Sequence, residues 1–200
     1  MDTEHKPLVS ILIPSRYRVD MLKRCIESIQ AAFLPEDYEI LIRSDDDDVG
    51  TRETVEALER KHSNLKGFVG PCWLAGTKRG FTPSVNRLYE QLAKEAKAPW
   101  IWIMNDDCTV ESEDGFGDLR NVPLTGYLVQ PGTYKLNQSR YDGCEAFPIA
   151  VNQAWLKLGA DAIGHPTDFF LVEFFAAHKW KVKLLPGLTV WHDWKEPVLK

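Results

Sequence analysis

Polar side chains follow apolar runs of the sequence at the points where those runs end. The apolar runs cover residues 8–14, 38–43 and 100–104, and the polar groups that end or follow them are Pro14-Ser15-Arg16, Asp45–Asp48 and Asn105-Asp106-Asp107. Short apolar runs of this kind are typical of strands buried on both faces of a parallel sheet. Ligands of open α/β sheets bind beyond the carboxyl ends of such strands, so we expect the polar groups to lie together at one edge. An acidic run alone usually marks a solvated turn, but its repetition after apolar strands favours a site.

Two carboxylate-bearing loops at one sheet edge repel each other unless a positive charge lies between them. Hard divalent ions such as Mn²⁺ or Mg²⁺ take oxygen ligands, commonly one or two carboxylates together with the phosphates of a bound nucleotide. Such an ion neutralises the charge that develops on a departing diphosphate. The pattern therefore predicts a divalent cation and a transferase that uses a nucleotide-diphosphate donor.

The elements that must position these groups alternate between strand and helix. We predict strands at 8–14, 38–43, 68–70 and 100–104, and helices at 21–33, 51–61 and 84–96, the first of them capped by Asp20. This order predicts an α/β fold with a mostly parallel central sheet flanked by helices. Beyond Cys108 the alternation stops. There we predict strands at 126–129, 181–185 and 189–191 and helices at 151–158 and 168–178.

Composition excludes several classes of protein. The 200 residues are 44% hydrophobic and 26% charged, which is typical of a globular chain and not of a disordered one. A net charge of −5 argues against a protein whose main role is to bind nucleic acid. The cysteines lack the C-x-x-C spacing of a zinc ribbon. Since no run approaches the ~20 apolar residues of a membrane span and the N-terminus does not resemble a signal peptide, we expect a cytoplasmic protein.

The motifs, taken in order, resemble those of glycosyltransferases with the GT-A fold, especially the large family-2-like group. The similar segments are Val9–Arg18 with the helix after it, Glu39–Thr51, Gly80–Asn86, Trp100–Asp107, Thr167–Phe170, Lys181–Pro186 and Val190–His192. Asn105-Asp106-Asp107 stands where the family has its Asp-x-Asp motif. The resemblance implies a single GT-A-like domain over residues 1–200, with a nucleotide-sugar-binding half at 1–108 and an acceptor and catalytic half at 109–200.

The resemblance also implies an activity and a set of site residues. The activity is metal-dependent transfer of a sugar from a nucleotide sugar, a UDP-sugar, to a hydroxyl acceptor such as a glycan, lipid, protein or nucleobase derivative. Asp168 would be the general base of an inverting reaction, and Asp107 and His192 would hold Mn²⁺ or Mg²⁺. The residues implied for the nucleotide sugar are Pro14, Ser15, Arg16, Asp45, Asp46, Lys78, Arg79, Gly80, Asn105 and Asp106.

Departures from the family pattern leave alternatives open. Asn105 replaces the first aspartate of the motif, and Thr167-Asp168 replaces the usual Glu-Asp pair. These changes are compatible with a degenerate domain that binds a nucleotide or glycan without transferring it. A sugar-phosphate nucleotidyltransferase is a further alternative, although the sequence lacks its Gly-rich phosphate loop. Asp168 as a helix cap, His192 as a structural histidine, a retaining mechanism and a homo-oligomer also remain open.

Overall fold

The computed structural model describes residues 6–70, 91–135, 146–148, 177 and 179–192. Its strands are β1 (Val9–Ser15), β2 (Tyr38–Asp45), β3 (Leu65–Gly70), β4 (Trp100–Ile103), β5 (Cys108–Ser112), β6 (Tyr127–Lys135), β7 (Ala146–Pro148) and β8 (Lys181–His192). Its helices are α1 (Val19–Ala32) and α2 (Val49–Glu59), with short 3-10 turns at Pro35–Asp37 and Gly117–Asn121. Residues 91–95 are also helical.

The described strands form one sheet in the order β3-β2-β1-β4-β7-β6-β8-β5. Strands β3, β2, β1 and β4 are parallel neighbours, so their carboxyl ends share one edge. Beyond β4 the sheet becomes mixed, because β7 pairs antiparallel with β4 and β5 pairs antiparallel with β8. The predicted fold class, a mostly parallel α/β sheet flanked by helices, is confirmed.

Helix α1 packs its apolar face against the sheet. Its buried residues recur at helical spacing and are Leu22, Cys25, Ile26 and Ile29. At its far end Phe33 stacks on Phe116, with the ring centroids 3.9 Å apart, and meets Trp102 edge-on. Burying each large apolar side chain contributes about 1.5–3 kcal/mol, so this core fixes the sheet whose edge carries the polar groups.

Element boundaries differ from the predicted ones in several places. Helix α1 begins at Val19 with Arg18 as its N-cap residue, so the expected cap at Asp20 is wrong and Asp20 lies in the first turn. The strands predicted at 181–185 and 189–191 are one continuous strand, β8. Strand β5 was not predicted. The expected helices at 151–158, most of 84–96 and most of 168–178 lie outside the described residues.

Both helices α1 and α2 are too short to cross a bilayer. A search of the described residues finds no helix with the length and apolar character of a membrane span.

Candidate functional site

Three polar segments meet at the carboxyl edge of the parallel strands. Strand β1 lies between β2 and β4, with Ser15 opposite Ser44 and Leu12 opposite Ile103. At the end of β1 the Ser15 hydroxyl donates a buried hydrogen bond of 2.7 Å to Asp106 Oδ2. The topology therefore brings together segments that are far apart in the sequence.

Arg18 bridges the two carboxylates that follow β4. Its Nη1 donates to Asp106 Oδ1 at 3.2 Å and to Asp107 Oδ2 at 2.9 Å. Both aspartates are buried, with 4% and 7% of their surface exposed, and burying two unpaired carboxylates side by side would be costly. The arginine supplies the counter-charge that keeps this pair in place.

We call the group formed by Asp106, Asp107 and Arg18 at this edge of the sheet the corner. His192 reaches the corner from the end of β8. Strand β8 pairs with β5 so that His192 stands opposite Cys108, the residue after Asp107. Its Nε2 lies 2.9 Å from Asp107 Oδ1, and both side chains are more than nine-tenths buried. The Sγ of Cys108 lies within 4.8 Å of the ligand atoms of Asp107 and His192.

The Asp107–His192 pair fits a divalent cation. Asp107 Oδ1 is buried and accepts no hydrogen bond from the part of the chain that the structure describes. If the imidazole carries its proton on Nδ1, Nε2 turns a lone pair toward this oxygen, and a cation between the two atoms removes the repulsion; a protonated Nε2 would instead pair with Asp107 directly. Two ligands at right angles on an octahedral ion with bonds of about 2.1 Å are about 3 Å apart, close to the separation found here. The mixed nitrogen and oxygen donors suit Mn²⁺ better than Mg²⁺, which takes oxygen.

Asp106 titrates well above the usual range of a carboxyl group. Burial is the main cause and raises its pKa from 3.8 to about 6, helped by the neighbouring charge of Asp107. The Arg18 charge and the Ser15 hydroxyl act in the opposite direction and limit the rise in the pKa. The corner therefore favours the arrival of further positive charge, which would keep Asp106 ionised.

A second cluster of charged residues lies at the end of β2. Arg16 pairs with Asp45 Oδ2 at 2.5 Å and with both oxygens of Asp47, at 2.7 and 2.9 Å. Arg43 is fully buried and donates to Asp45 Oδ1 at 3.0 Å, to Gln91 Oε1 at 2.8 Å and to the Ser44 carbonyl. Asp45 is thus held from both sides, whereas Asp46 is exposed and donates its backbone N–H to Gly70.

The turn after β1 joins these two clusters. Tyr17 adopts a left-handed conformation with φ of 54°, which is unusual for a residue with a side chain, and its N–H donates to Asp48 Oδ2 at 2.5 Å. The Arg16 guanidinium lies 4.6 Å from the centre of the exposed Tyr17 ring. Because the chain reverses here, Arg16 contacts the β2 loop while Arg18 contacts the β4 loop.

The structure brings together the predicted residues Ser15, Arg16, Asp45, Asp106 and Asp107 with His192. Pro14 lies in β1, and the Asn105 carbonyl accepts hydrogen bonds from the Cys108 N–H and the Cys25 thiol. Lys78, Arg79, Gly80 and Asp168 lie outside the described residues.

Sequence reasoning assigned no role to three charged residues of this edge: Arg18, Arg43 and Asp48. Arg43 could have been found, because a charge inside an otherwise apolar buried strand requires a partner. Asp48 precedes α2 and accepts from the Thr51 N–H at 3.1 Å, the pattern of a helix cap. Arg18 gave no comparable signal, because its contacts depend on the left-handed turn at Tyr17.

The sequence defines the class of protein to which this fold and site belong. Residues 10–115 match the profile of the family described as Glycosyl transferase family 2. Because the match covers more than half of the 200 residues, the chain belongs to glycosyl transferase family 2. The predicted class, a GT-A glycosyltransferase of the family-2 group, is confirmed at the level of family membership. No curated protein sequence matches the chain.

Solved structures share the fold at low sequence identity. The mannosyltransferase PcManGT from Pyrobaculum calidifontis, in complex with GDP-Man and Mn²⁺, has a TM-score of 0.64 and 12% identity over 96% of this chain and 59% of its own. TarS 1–349 from S. aureus has a TM-score of 0.64 and 11% identity over 92% and 60% of the two chains. GalNAc-T7 with UDP, GalNAc and Mn²⁺ has a TM-score of 0.64 and 12% identity over 94% and 43%. The chain thus spans about three-fifths of the first two proteins, and the likeness shows the GT-A fold alone.

Proposed function

We propose that this chain is a metal-dependent glycosyltransferase that moves a sugar from a UDP-sugar to a hydroxyl acceptor. The observation that carries the proposal is the buried Asp107 oxygen, which accepts no hydrogen bond from the described residues and lies 2.9 Å from His192 Nε2. The contact lies at the edge of the sheet where α/β proteins bind ligands. Family membership supports the same proposal. The names of several similar structures record a bound nucleotide sugar or nucleotide, which also supports it.

In this proposal Asp107 and His192 hold a divalent ion, Mn²⁺ in preference to Mg²⁺. When bound, such an ion neutralises the charge of the departing diphosphate. Asp106, fixed by Ser15 and Arg18, contacts the ribose or the sugar. Asn105 offers an uncharged amide for a hydroxyl of the ribose.

The nucleoside lies along the ends of β1 and β2. Pro14, Ser15 and Arg16 border it, and Asp45 or Asp46 accepts a hydrogen bond from the base. Asp45 is already held by Arg16 and Arg43, but a carboxylate oxygen can accept more than one hydrogen bond. Lys78, Arg79 and Gly80 lie near the donor phosphates, where cations and a close backbone approach are favourable.

The reaction is an inverting displacement. Asp168 accepts the proton of the acceptor hydroxyl while that oxygen forms a bond to the anomeric carbon. The bond from the same carbon to the diphosphate breaks, and its electron pair leaves with the nucleoside diphosphate. Residues 1–108 bind the donor and 109–200 supply the acceptor side within one domain. The acceptor is a hydroxyl of a glycan, lipid, protein or nucleobase derivative.

The test is a thermal-shift series with UDP-, GDP- and TDP-sugars, each with and without Mn²⁺. A nucleotide sugar present at 100 times its Kd stabilises the fold by about 2.7 kcal/mol, and we expect a UDP-sugar to do so only with Mn²⁺. The same series on Asp107→Asn should show no such gain. If no nucleotide sugar stabilises the wild type, the proposal is wrong.

A turnover assay separates the proposal from its alternative. A glycosyltransferase should transfer or hydrolyse the sugar of the donor that stabilises it. Stabilisation without any release of nucleoside diphosphate would favour the degenerate binding domain, to which the uncharged Asn105 at the first position of the motif also points.

A further inference from the structure

We propose that Arg18 binds the donor diphosphate directly, anchored by the two carboxylates that flank the ion. This inference rests on the proposed function, because it assigns one more residue to the same donor site. Arg18 stands between β1 and α1 and is far in sequence from Lys78-Arg79, the cationic pair that the resemblance implied near the donor.

Toward the residues that the structure describes, Arg18 uses only one of its nitrogens. Nη1 contacts Asp106 and Asp107, at 3.2 and 2.9 Å, while Nη2 and Nε donate to no described residue. An arginine carries five N–H donors in a planar fork suited to phosphate. The side chain is 24% exposed, so it is fixed at one end and open at the other.

Arg18 and the proposed ion do not compete for the same oxygen. Arg18 binds Oδ2 of Asp107, whereas Oδ1 of the same carboxylate faces His192. An ion held by Oδ1 and His192 would leave the arginine in place. A phosphate group bound to that ion would then lie beside the guanidinium, and the two cations would share the anion between them.

The net charge of the corner also depends on Arg18. With both carboxylates ionised, Asp106, Asp107 and Arg18 together carry one negative charge, and a divalent ion changes this to one positive charge. Without Arg18 the loaded corner would be neutral. The arginine therefore decides whether the corner attracts a diphosphate after the ion is bound.

The N-terminus of α1 also favours a negatively charged ligand beside Arg18. Arg18 is the N-cap residue of this 14-residue helix, and no hydrogen bond from a described side chain caps it. The first N–H groups of a helix carry a partial positive charge that favours anions. The hydrogen bond that the Tyr17 N–H donates to Asp48 fixes the turn that places Arg18 at the start of α1.

The experiment measures two affinities separately in the full chain. Isothermal titration gives the Kd of UDP and of GDP in the presence of Mn²⁺, and electron paramagnetic resonance gives the Kd of Mn²⁺ alone. The variants are Arg18→Gln, Arg18→Lys and, as the matched control, Lys23→Gln, which removes one positive charge from an exposed position of the same helix.

We expect Arg18→Gln to weaken binding of the nucleotide that the wild type binds by about 10- to 100-fold, the range of a charge-assisted hydrogen bond. Mn²⁺ should bind this variant as tightly as the wild type or more tightly, because a neighbouring positive charge is gone. Arg18→Lys should lose about fivefold or more, because one ammonium group cannot hold both carboxylates and a phosphate. If Arg18→Gln does not fold, Arg18→Lys carries the test.

Two results would overturn the inference while the proposed function stands. One is a nucleotide affinity in Arg18→Gln that equals the affinity in Lys23→Gln. If Arg18→Gln does not fold, the same comparison is made with Arg18→Lys. The other is an equal loss of Mn²⁺ and nucleotide affinity, which would make Arg18 a residue that only positions the metal ligands. A wild type that binds neither UDP nor GDP with Mn²⁺ would overturn the proposed function and this inference with it.

Discussion

Asp107 Oδ1 and His192 Nε2 lie 2.9 Å apart, although one residue ends the β4 loop and the other ends β8. The contact depends on the antiparallel pairing of β5 and β8, which places His192 opposite Cys108. The second half of the chain thus completes a corner that the first half begins. A site assembled in this way requires both halves of the chain.

Asp107→Asn should abolish most of the activity while the fold survives. The substitution keeps the size of the side chain but removes the negative charge proposed to hold the ion. Loss of one main electrostatic contact to a developing charge costs about 100- to 1,000-fold in turnover. Sugar transfer and Mn²⁺ affinity are measured together, with Asp20→Asn, an exposed aspartate of α1, as the control. Wild-type rates in Asp107→Asn would remove the metal role.

Asp168→Asn should lower the rate of transfer without weakening the binding of the donor. A positioned general base contributes about 100- to 10,000-fold, and an amide cannot accept the acceptor proton. Turnover under saturating donor and the Kd of UDP with Mn²⁺ are the two measurements. If Asp168 only caps a helix, the asparagine variant should keep both values, because asparagine caps a helix as well as aspartate does.

The first half of the fold was predictable because its signals are local. Strands β1, β2 and β4 are largely apolar runs, and α1 repeats its apolar residues at helical spacing. The order of strands in a βαβ pattern then fixes which loops share an edge. The start of α1 was predicted incorrectly because Arg18, a residue with low capping preference, occupies the N-cap position.

The partners of the site residues were less predictable than the residues themselves. The contact of His192 with Asp107 follows from the register between β5 and β8, and β5 lacks a strong pattern in the sequence. The contacts of Arg18 follow from the positive φ at Tyr17, a position where glycine or asparagine is the usual signal. Long-range register and backbone strain are properties of the folded chain and leave little trace in a single sequence.

The stability of the metal-free protein should depend on pH through Asp106. Its pKa is about 6 in the folded protein and near 3.8 for an ordinary, unburied aspartate, so the folded state binds the proton more tightly. The stability that this proton contributes is complete below pH 3.8 and is lost as the pH rises through 6. Between pH 4 and 7 the wild type should therefore lose up to about 3 kcal/mol of unfolding free energy relative to Asp106→Asn.

Urea unfolding with a chelator present, at several pH values from 4 to 7, measures this difference. Asp20→Asn, which removes an exposed carboxylate from α1, serves as the control. Parallel curves for the wild type and Asp106→Asn would show that burial does not raise the pKa of this group.

Asp48 should stabilise two elements at once. It accepts from the Thr51 N–H in the first turn of α2 at 3.1 Å and from the Tyr17 N–H in the turn after β1 at 2.5 Å. Asp48→Ala should cost about 1–2 kcal/mol of unfolding free energy, the upper range for loss of a helix cap. Asp48→Asn should cost less, since asparagine caps a helix as well as aspartate. Equal stability of the alanine variant and the wild type in urea unfolding would contradict this role.

Gly70 should be required because Arg43 lies against it. A Cβ at this position would stand 2.7 Å from Arg43 Nη2 and 3.2 Å from its Cζ. The guanidinium cannot move aside without losing Asp45 and Gln91. Gly70→Ala should therefore cost about 1–3 kcal/mol, the usual range for overpacking.

A double-mutant cycle in urea unfolding identifies the partner of Gly70. Arg43→Met alone should cost about 3–5 kcal/mol, because it leaves Asp45 with a buried charge and one partner fewer. Gly70→Ala should cost less in the Arg43→Met background than in the wild type, because the flexible methionine side chain has no polar contacts that hold it beneath the new methyl group. Gly50→Ala is the matched control: its Cβ meets no atom closer than 3.7 Å and lies in α2, so alanine should stabilise the protein. Equal costs of Gly70→Ala in the two backgrounds would show that the clash lies elsewhere.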